Sequence, residues 1–109
     1  DIKAWEKEVF VAFFLDTGNR VISREIISVG SLNASVVHPR EVFRTAIARN
    51  SNAIIVAHNH PSGNCEPSQE DIRMTRRLCD AGHIIAIELL DHVICTKEGY
   101  YSFADKGKI

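Results

Sequence analysis

The hydrophobic pattern predicts a buried central strand early in the chain. Residues 9–15 are seven apolar residues in a row, which is typical of a strand covered on both faces in the middle of a sheet. A turn is predicted at residues 16–19, and residues 20–29 are expected to return as the antiparallel partner of this strand. A second apolar run, residues 53–57, has the length and composition of another buried strand.

Two other stretches have apolar residues at helical spacing. Residues 39–49 carry one apolar stripe on a helix that Pro39 begins and Asn50 ends. The stripe consists of Val42, Phe43, Ala46 and Ile47. A second helix is predicted to begin at Ser68 and to end with Gly82 as its C-cap. Its buried face is expected to hold Ile72, Thr75, Leu78 and Cys79.

The remaining segments complete a mixed fold. Strands are predicted at residues 84–90, at residues 93–96 and, after a turn, near residues 101–103. Residues 1–7 are expected to form a short helical lead-in or a frayed end, and residues 30–35 a loop. With about five or six strands and two main helices, the fold class is α/β, with a mixed β-sheet flanked by helices.

The composition limits the kind of protein. The chain has 109 residues, of which 45% are hydrophobic and 25% charged, and this fits one soluble domain with a core. The formal net charge of −1 argues against direct binding of nucleic acid. No stretch approaches the roughly 20 apolar residues of a membrane span, and no signal peptide is visible. Three cysteines without a Cys-x-x-Cys pair fit a reducing compartment, so a cytoplasmic location is expected.

The residues that carry chemistry are concentrated between positions 58 and 71. His58 and His60 follow the second apolar run, and residues at this spacing point to the same side of an extended chain. Pro61 and the residues after it turn the chain, and Asp71 falls in the first turn of the next helix. Two imidazoles and one carboxylate directed at one point suit a divalent metal, zinc first, with a fourth position open to water.

Simpler interpretations exist for some of these residues. Ser68 and Asp71, three positions apart at a helix start, also fit a weak form of the capping box. Cys65 lies in the intervening loop, as a further metal ligand or as an ordinary loop residue. His92 follows Asp91, which would either orient the His92 ring in support of the site or leave it a hydrogen-bonded structural histidine.

The spacing matches a known metal-binding pattern. His-x-His, seven residues, Ser, two residues and Asp is the motif of the JAMM (MPN-plus) metalloproteases, and the chain fits it without a gap at His58, His60, Ser68 and Asp71. The surrounding text, Ala-His-Asn-His-Pro-Ser-Gly at residues 57–63, resembles the bacterial RadC family more narrowly. The resemblance implies the JAMM/MPN sandwich, which is cytidine-deaminase-like, and one zinc ion per chain. It also implies that the zinc ligands are His58, His60 and Asp71.

The resemblance implies catalytic roles as well. In the JAMM family a glutamate on an early strand is the general base, and the motif serine donates to the oxyanion. The matching serine is Ser68. Glu8, at the mouth of the first predicted strand, is the matching glutamate, and Glu25 on the next strand is the alternative. Because full-length RadC-like proteins carry an N-terminal helical region, we expect residues 1–109 to be a single MPN/JAMM-like domain at the C-terminal end of a longer protein.

Two functions follow from the resemblance. The first is zinc-dependent hydrolysis of a peptide or isopeptide bond by a zinc-activated water, which a three-ligand motif with an open position favours. The alternative is a RadC-like, DNA-repair-associated accessory module whose zinc site is structural or vestigial. The sequence identifies no substrate, no oligomeric state and no pathway.

Overall fold

Five strands and two helices make up the part of the chain that the computed structural model describes, residues 6–30 and 37–109. The elements are β1 (Val9–Leu15), β2 (Val21–Val29), α1 (Pro39–Ala48), β3 (Ala53–Asn59), α2 (Gln69–Ile85), β4 (Glu88–Cys95) and β5 (Tyr100–Ser102). The predicted α/β class with a mixed sheet is therefore confirmed. The lead-in predicted at residues 1–7 lies mainly, and the loop predicted at residues 30–35 almost wholly, outside the described residues. Neither α1 nor α2 has the length and apolar character needed to cross a membrane.

β1 lies inside the sheet, whose strand order is β2-β1-β3-β4-β5. It pairs antiparallel with β2 on one side and with β3 on the other. β3 and β4 run parallel, which the α2 crossover between them allows, and β5 returns antiparallel to β4. Six of the seven β1 residues are buried, as the unbroken apolar run predicts for a strand covered on both faces.

The main hydrophobic core joins β1 and β3 to both helices. α1 contributes the buried side chains of Val42, Phe43 and Ala46, which confirms most of the predicted stripe. Ile47 is instead 55% exposed, because it lies about 100° around the helix from Ala46 and falls outside the buried stripe. From α2, Leu78 is fully buried in the same core, as predicted.

The end of α2 and the strand after it differ from the prediction. α2 continues to Ile85, so the strand predicted at residues 84–90 is wrong at its start. Residues 88–95 then form the single strand β4, where two short strands were predicted. Ile84 is 84% exposed at the helix end, and periodicity alone cannot distinguish a short apolar run there from the start of a buried strand.

Gly82 is required for a close contact, and the prediction that it is the C-cap of α2 is wrong. A Cβ atom at Gly82 would collide with the carbonyl oxygen of Ile87 and approach Cζ of Phe43 to 3.3 Å. The residue that ends α2 in the left-handed conformation is Ala86, with a φ of 66°. Glycine at position 82 therefore supplies space between α2 and its surroundings, and its conformational freedom is not used.

Replacement of Gly82 by alanine is expected to lower the free energy of unfolding by about 1–3 kcal/mol, because the added methyl group overpacks a buried contact. Helix propensity alone would favour alanine by about 0.5–1 kcal/mol, so the sign of the change tests the steric argument. Gly99→Ala is the matched control, since a Cβ atom there meets no atom within 4 Å. Urea unfolding measures both variants, and equal stability of the two would contradict the argument.

Candidate metal centre

Strand β3 brings two histidines to one side of its C-terminal end. His58 is 1% exposed, and it pairs with Phe10 of β1 and Ile94 of β4 on its two flanks. His60 follows the strand, and its backbone N–H donates to the carbonyl of Cys95 at 3.0 Å. Side chains two positions apart on an extended chain lie on the same side, and the two imidazole centroids are accordingly 4.9 Å apart.

The first turn of α2 brings a carboxylate to the same point. The Ser68 side chain caps the helix by accepting a hydrogen bond from the backbone N–H of Asp71 at 3.1 Å. In return, Oδ2 of Asp71 accepts from the backbone N–H of Ser68 at 2.9 Å. The capping-box interpretation is therefore correct, and it does not compete with a role for Asp71 at the histidines. The same hydrogen bonds that begin the helix hold the Asp71 carboxylate in place.

The ligand atoms of four residues converge within 4.8 Å of one another. Nε2 of His58 lies 3.1 Å from Oδ1 of Asp71, and Nε2 of His60 lies 3.0 Å from Oδ2 of Asp71. The two Nε2 atoms are 3.1 Å apart. Around a zinc ion with bonds of about 2.0 Å, tetrahedral ligand atoms are about 3.3 Å apart. The spacing of these three residues therefore fits a small divalent cation such as zinc.

Glu8 is the fourth member of this cluster. Its Oε1 lies 3.6 Å from Nε2 of His58 and 3.9 Å from Nε2 of His60, farther than the Asp71 oxygens. The peptide groups on both sides of Glu8 are held by the Asn59 side chain. Asn59 Nδ2 donates to the carbonyl of Lys7 at 2.9 Å, and the N–H of Val9 donates to Asn59 Oδ1 at 2.7 Å. The backbone from which the Glu8 side chain extends is thus held in place beside the cluster.

The electrostatics of the cluster follow from its burial. Burial is the main influence that raises the pKa of Glu8 above its ordinary value. For Asp71 burial acts in the same direction, but the interactions of its carboxylate with His58 and His60 outweigh it and hold the pKa well below its usual range. The hydrogen bond to Asp71 raises the pKa of His60. Nε2 of His60 lies 3.0 Å from the Asp71 carboxylate, so a proton on this nitrogen would donate to Asp71, and a bound cation would take the place of that proton.

The alternative glutamate, Glu25, is engaged elsewhere. Its Oε2 accepts a hydrogen bond from the Thr45 hydroxyl of α1 at 2.6 Å, and it is not part of the four-residue cluster. Cys65, the further ligand that the sequence left open, packs against Ile94, Tyr101 and Phe103 and is likewise outside the cluster. The structure thus brings Glu8, and not Glu25, to the histidines.

Behind His58 lies a third histidine whose contacts the sequence did not predict. Nε2 of His92 is 2.8 Å from Nδ1 of His58, and Nδ1 of His92 is 2.6 Å from the hydroxyl of Thr75. Asp91 does not orient the His92 ring, because its Oδ1 accepts from the backbone N–H of His92 at 2.7 Å. Burial lowers the pKa of His92 to about 3. The signal that could have found this contact is the parallel pairing of β3 with β4, which a single sequence does not reveal.

The match to a protein family extends over nearly the whole chain. A family model described as "RadC-like JAB domain" matches residues 1–108. This chain belongs to the RadC-like JAB-domain family. The RadC family, predicted from the sequence around the His58, His60, Ser68 and Asp71 motif, is therefore confirmed.

Curated relatives of this RadC-like domain include proteins of Geobacillus, Listeria and Methanosarcina. UPF0758 protein GWCH70_2550 of Geobacillus sp. (strain WCH70) is 52% identical over 109 residues, which are 100% of the chain and 48% of the relative. UPF0758 protein lwe1562 of Listeria welshimeri is 55% identical over 101 residues, 93% of the chain and 45% of the relative. The UPF0758 protein of Methanosarcina mazei is 47% identical over 102 residues, which are 94% of the chain and 44% of the relative. The chain thus spans a little under half the length of these relatives, and their names state no activity.

Metal binding is expected to stabilise this RadC-like domain. Zinc added to chelator-treated protein at about 100 times its dissociation constant should raise the melting temperature by roughly 10 °C, because the ion binds the folded state only. His60→Ala should abolish both the shift and the bound zinc. His83→Ala is the matched control, since His83 is an exposed histidine at the end of α2. A zinc-induced shift of equal size in both variants would contradict binding at the cluster, as would its absence in the wild type.

Proposed function

We propose that this domain is a zinc-dependent hydrolase that cleaves a peptide or isopeptide bond. The observation that supports the proposal best is the position of Glu8, a buried carboxylate beside three ligand-type side chains but set back from them. Structural zinc sites normally use four protein ligands at bonding distance. A catalytic site has three ligands and can have a fourth residue set back from the metal. When that residue is a carboxylate, it can serve as a general base.

The metal site would be formed by His58, His60 and Asp71, whose mutual distances suit zinc. Bound zinc would supply a polarised water of pKa near 7 and a Lewis acid for a substrate carbonyl. The residues of the chain then have the remaining tasks. They hold the ion, move one proton and stabilise a negative oxygen.

Glu8 is suited to moving the proton. Its carboxylate faces the two ligand nitrogens from 3.6 Å and 3.9 Å, close enough to reach a water molecule held between them. Burial raises the pKa of Glu8, so it accepts a proton more readily than an exposed glutamate does. The protonated carboxyl group can then return that proton to the leaving amine of the substrate.

Ser68 has a free donor for the developing oxyanion. Its oxygen accepts from the backbone N–H of Asp71 as the helix cap, and this use of a lone pair leaves the hydroxyl proton available. Ser68 is exposed at the start of α2, where a substrate can reach it. Capping and donation to an oxyanion are thus compatible in one hydroxyl group.

Glu8→Gln is expected to lower turnover by about 100- to 10,000-fold, because the amide keeps the shape of the side chain but cannot accept a proton. Zinc content and melting temperature should remain close to those of the wild type, since Glu8 is not proposed as a ligand. Glu25→Gln is the matched control, because Glu25 is a carboxylate on the neighbouring strand that bonds to Thr45. A panel of peptide and isopeptide substrates, screened first with zinc-loaded wild type, supplies the assay.

The outcomes of this test distinguish a wrong assignment of the general base from a wrong assignment of the reaction. If wild type cleaves a substrate and Glu8→Gln cleaves it equally fast, Glu8 is not the base. Loss of activity in Glu25→Gln alone would move the role to Glu25. If zinc-loaded wild type cleaves nothing across a broad panel, the hydrolase proposal fails in favour of an accessory module with a structural zinc.

Ser68→Ala is expected to lower turnover by about 100- to 1,000-fold through loss of the oxyanion donor. It should also lower the free energy of unfolding by about 1 kcal/mol through loss of the cap. Ser68→Gly separates the two effects, because glycine at this position costs only a few tenths of a kcal/mol. Turnover should remain low in Ser68→Gly while the melting temperature largely recovers. Recovery of both would mean that Ser68 is only a cap.

A further inference from the structure

We propose that Thr75 and His92 are positioning residues that fix the tautomer of His58, so that its Nε2 faces the metal site without a proton. The proposal depends on metal binding at the cluster and not on hydrolysis. Thr75 lies on α2, His92 on β4 and His58 on β3, and all three side chains are at least 97% buried. Water therefore has little access to the hydrogen bonds that join them.

The direction of the hydrogen bonds is set by the Thr75 hydroxyl. This group has one proton, and it donates that proton to the backbone carbonyl of Asp71 at 2.8 Å. Its oxygen can then only accept from Nδ1 of His92, which lies 2.6 Å away. His92 must therefore carry its proton on Nδ1.

The proton on His92 in turn determines which nitrogen of His58 donates to it. A neutral imidazole has one N–H group, so Nε2 of His92 is an acceptor. His92 is 0% exposed and packed beside the rings of Phe10 and Phe103, where an unpaired positive charge is costly. Nδ1 of His58 lies 2.8 Å from the His92 acceptor and must donate to it. Nδ1 of His58 thereby carries a proton, so in neutral His58, the form that binds a metal, the lone pair of Nε2 points at the cluster.

A chain of three hydrogen bonds connects two proposed ligands. It begins at the backbone carbonyl of Asp71 and runs through Thr75 and His92 to Nδ1 of His58. On the other side of the same imidazole, Nε2 of His58 lies 3.1 Å from the Asp71 carboxylate, and a cation bound there would contact both atoms. Metal-binding histidines commonly donate their second N–H group to a carboxylate, a backbone carbonyl or water. Here a neutral imidazole takes that place, and Thr75 determines which of its nitrogens accepts.

Thr75→Val tests the proposal, because valine keeps the shape of threonine but has no hydroxyl group. Nδ1 of His92 then loses its acceptor, and the His92 proton is expected to move to Nε2. Nε2–H of His92 would donate to Nδ1 of His58, and the His58 proton would move to Nε2, where Asp71 accepts it. In the metal-free protein His58 would thus be in the tautomer that cannot bind the ion through Nε2. Zinc affinity should therefore fall by about 10- to 100-fold.

Two measurements on the 109-residue chain provide the readouts. Long-range ¹H–¹⁵N spectra of the metal-free protein distinguish imidazoles protonated on Nδ1 from those protonated on Nε2, and competition with a chromophoric chelator gives the affinity for Zn²⁺ alone. In wild type, Nδ1 of His92 and Nδ1 of His58 should each carry a proton, and Nε2 of His92 should carry none. In Thr75→Val, Nε2 of His92 should carry the proton and Nδ1 of His58 should carry none. Thr75→Ser should restore the wild-type tautomers and affinity, because serine keeps the hydroxyl group.

Thr45→Val is the matched control, since its hydroxyl also makes one side-chain hydrogen bond, to Glu25 and away from the cluster. It should change neither readout. A proton on Nε2 of His92 in wild type, or the absence of one from Nδ1 of His58, would overturn the proposal, and this test stands even if Thr75→Val does not fold. Loss of zinc affinity in Thr75→Val with unchanged tautomers would also overturn it, because that result shows a packing role only. Failure to find a hydrolysed substrate would leave both readouts unaffected.

Discussion

The structure depends on one electrostatic constraint, the burial of acidic and basic side chains at a single point. Glu8, His58 and Asp71 are each less than about one-tenth exposed, and His60 completes the group at 3.0 Å from Asp71. Buried charges are costly unless they are paired or coordinate a metal. Strand β3 between β1 and β4, and α2 directly after it, are the elements that make this pairing geometrically possible.

The backbone takes part directly in holding the carboxylates. Asp71 is fixed by the capping box that begins α2, and the peptide groups around Glu8 are fixed by the side chain of Asn59. Asn59 stands between His58 and His60, so its side chain points to the opposite side of the strand from theirs. One tripeptide therefore supplies two candidate ligands and the support for the candidate base. Interactions that stabilise the fold and interactions that shape the site are here the same hydrogen bonds.

Much of this could be predicted from the sequence because local patterns encode it. The apolar run of β1, the antiparallel β2 and the turn into α2 all follow from periodicity and turn residues. The convergence of His58, His60 and Asp71 follows from their spacing across a predicted strand end, turn and helix start.

Other features could not be predicted, because they depend on contacts between distant segments. Gly82 looks like a helix terminator, and only the packing of Ile87 and Phe43 explains it. The partnership of His92 with His58 requires the register of β3 against β4, in which residues 34 positions apart meet. Thr75 likewise looks like an ordinary buried helix position until the strand behind it is known.

The neutral imidazole behind His58 also bears on the charge balance of the site. A divalent cation would meet two carboxylates, Glu8 and Asp71, and two histidines that are neutral when they bind it, so the buried charges would sum to zero. A carboxylate in the position of His92 would add a third negative charge to a buried region and leave the sum negative. It would also make the ligand nitrogen of His58 a stronger donor to the metal and lessen the acidity of a metal-bound water. With His92 in this place, the geometry of His58 is held without that extra charge, and Glu8 is the one carboxylate of the described cluster that is not a proposed ligand and can serve as the base.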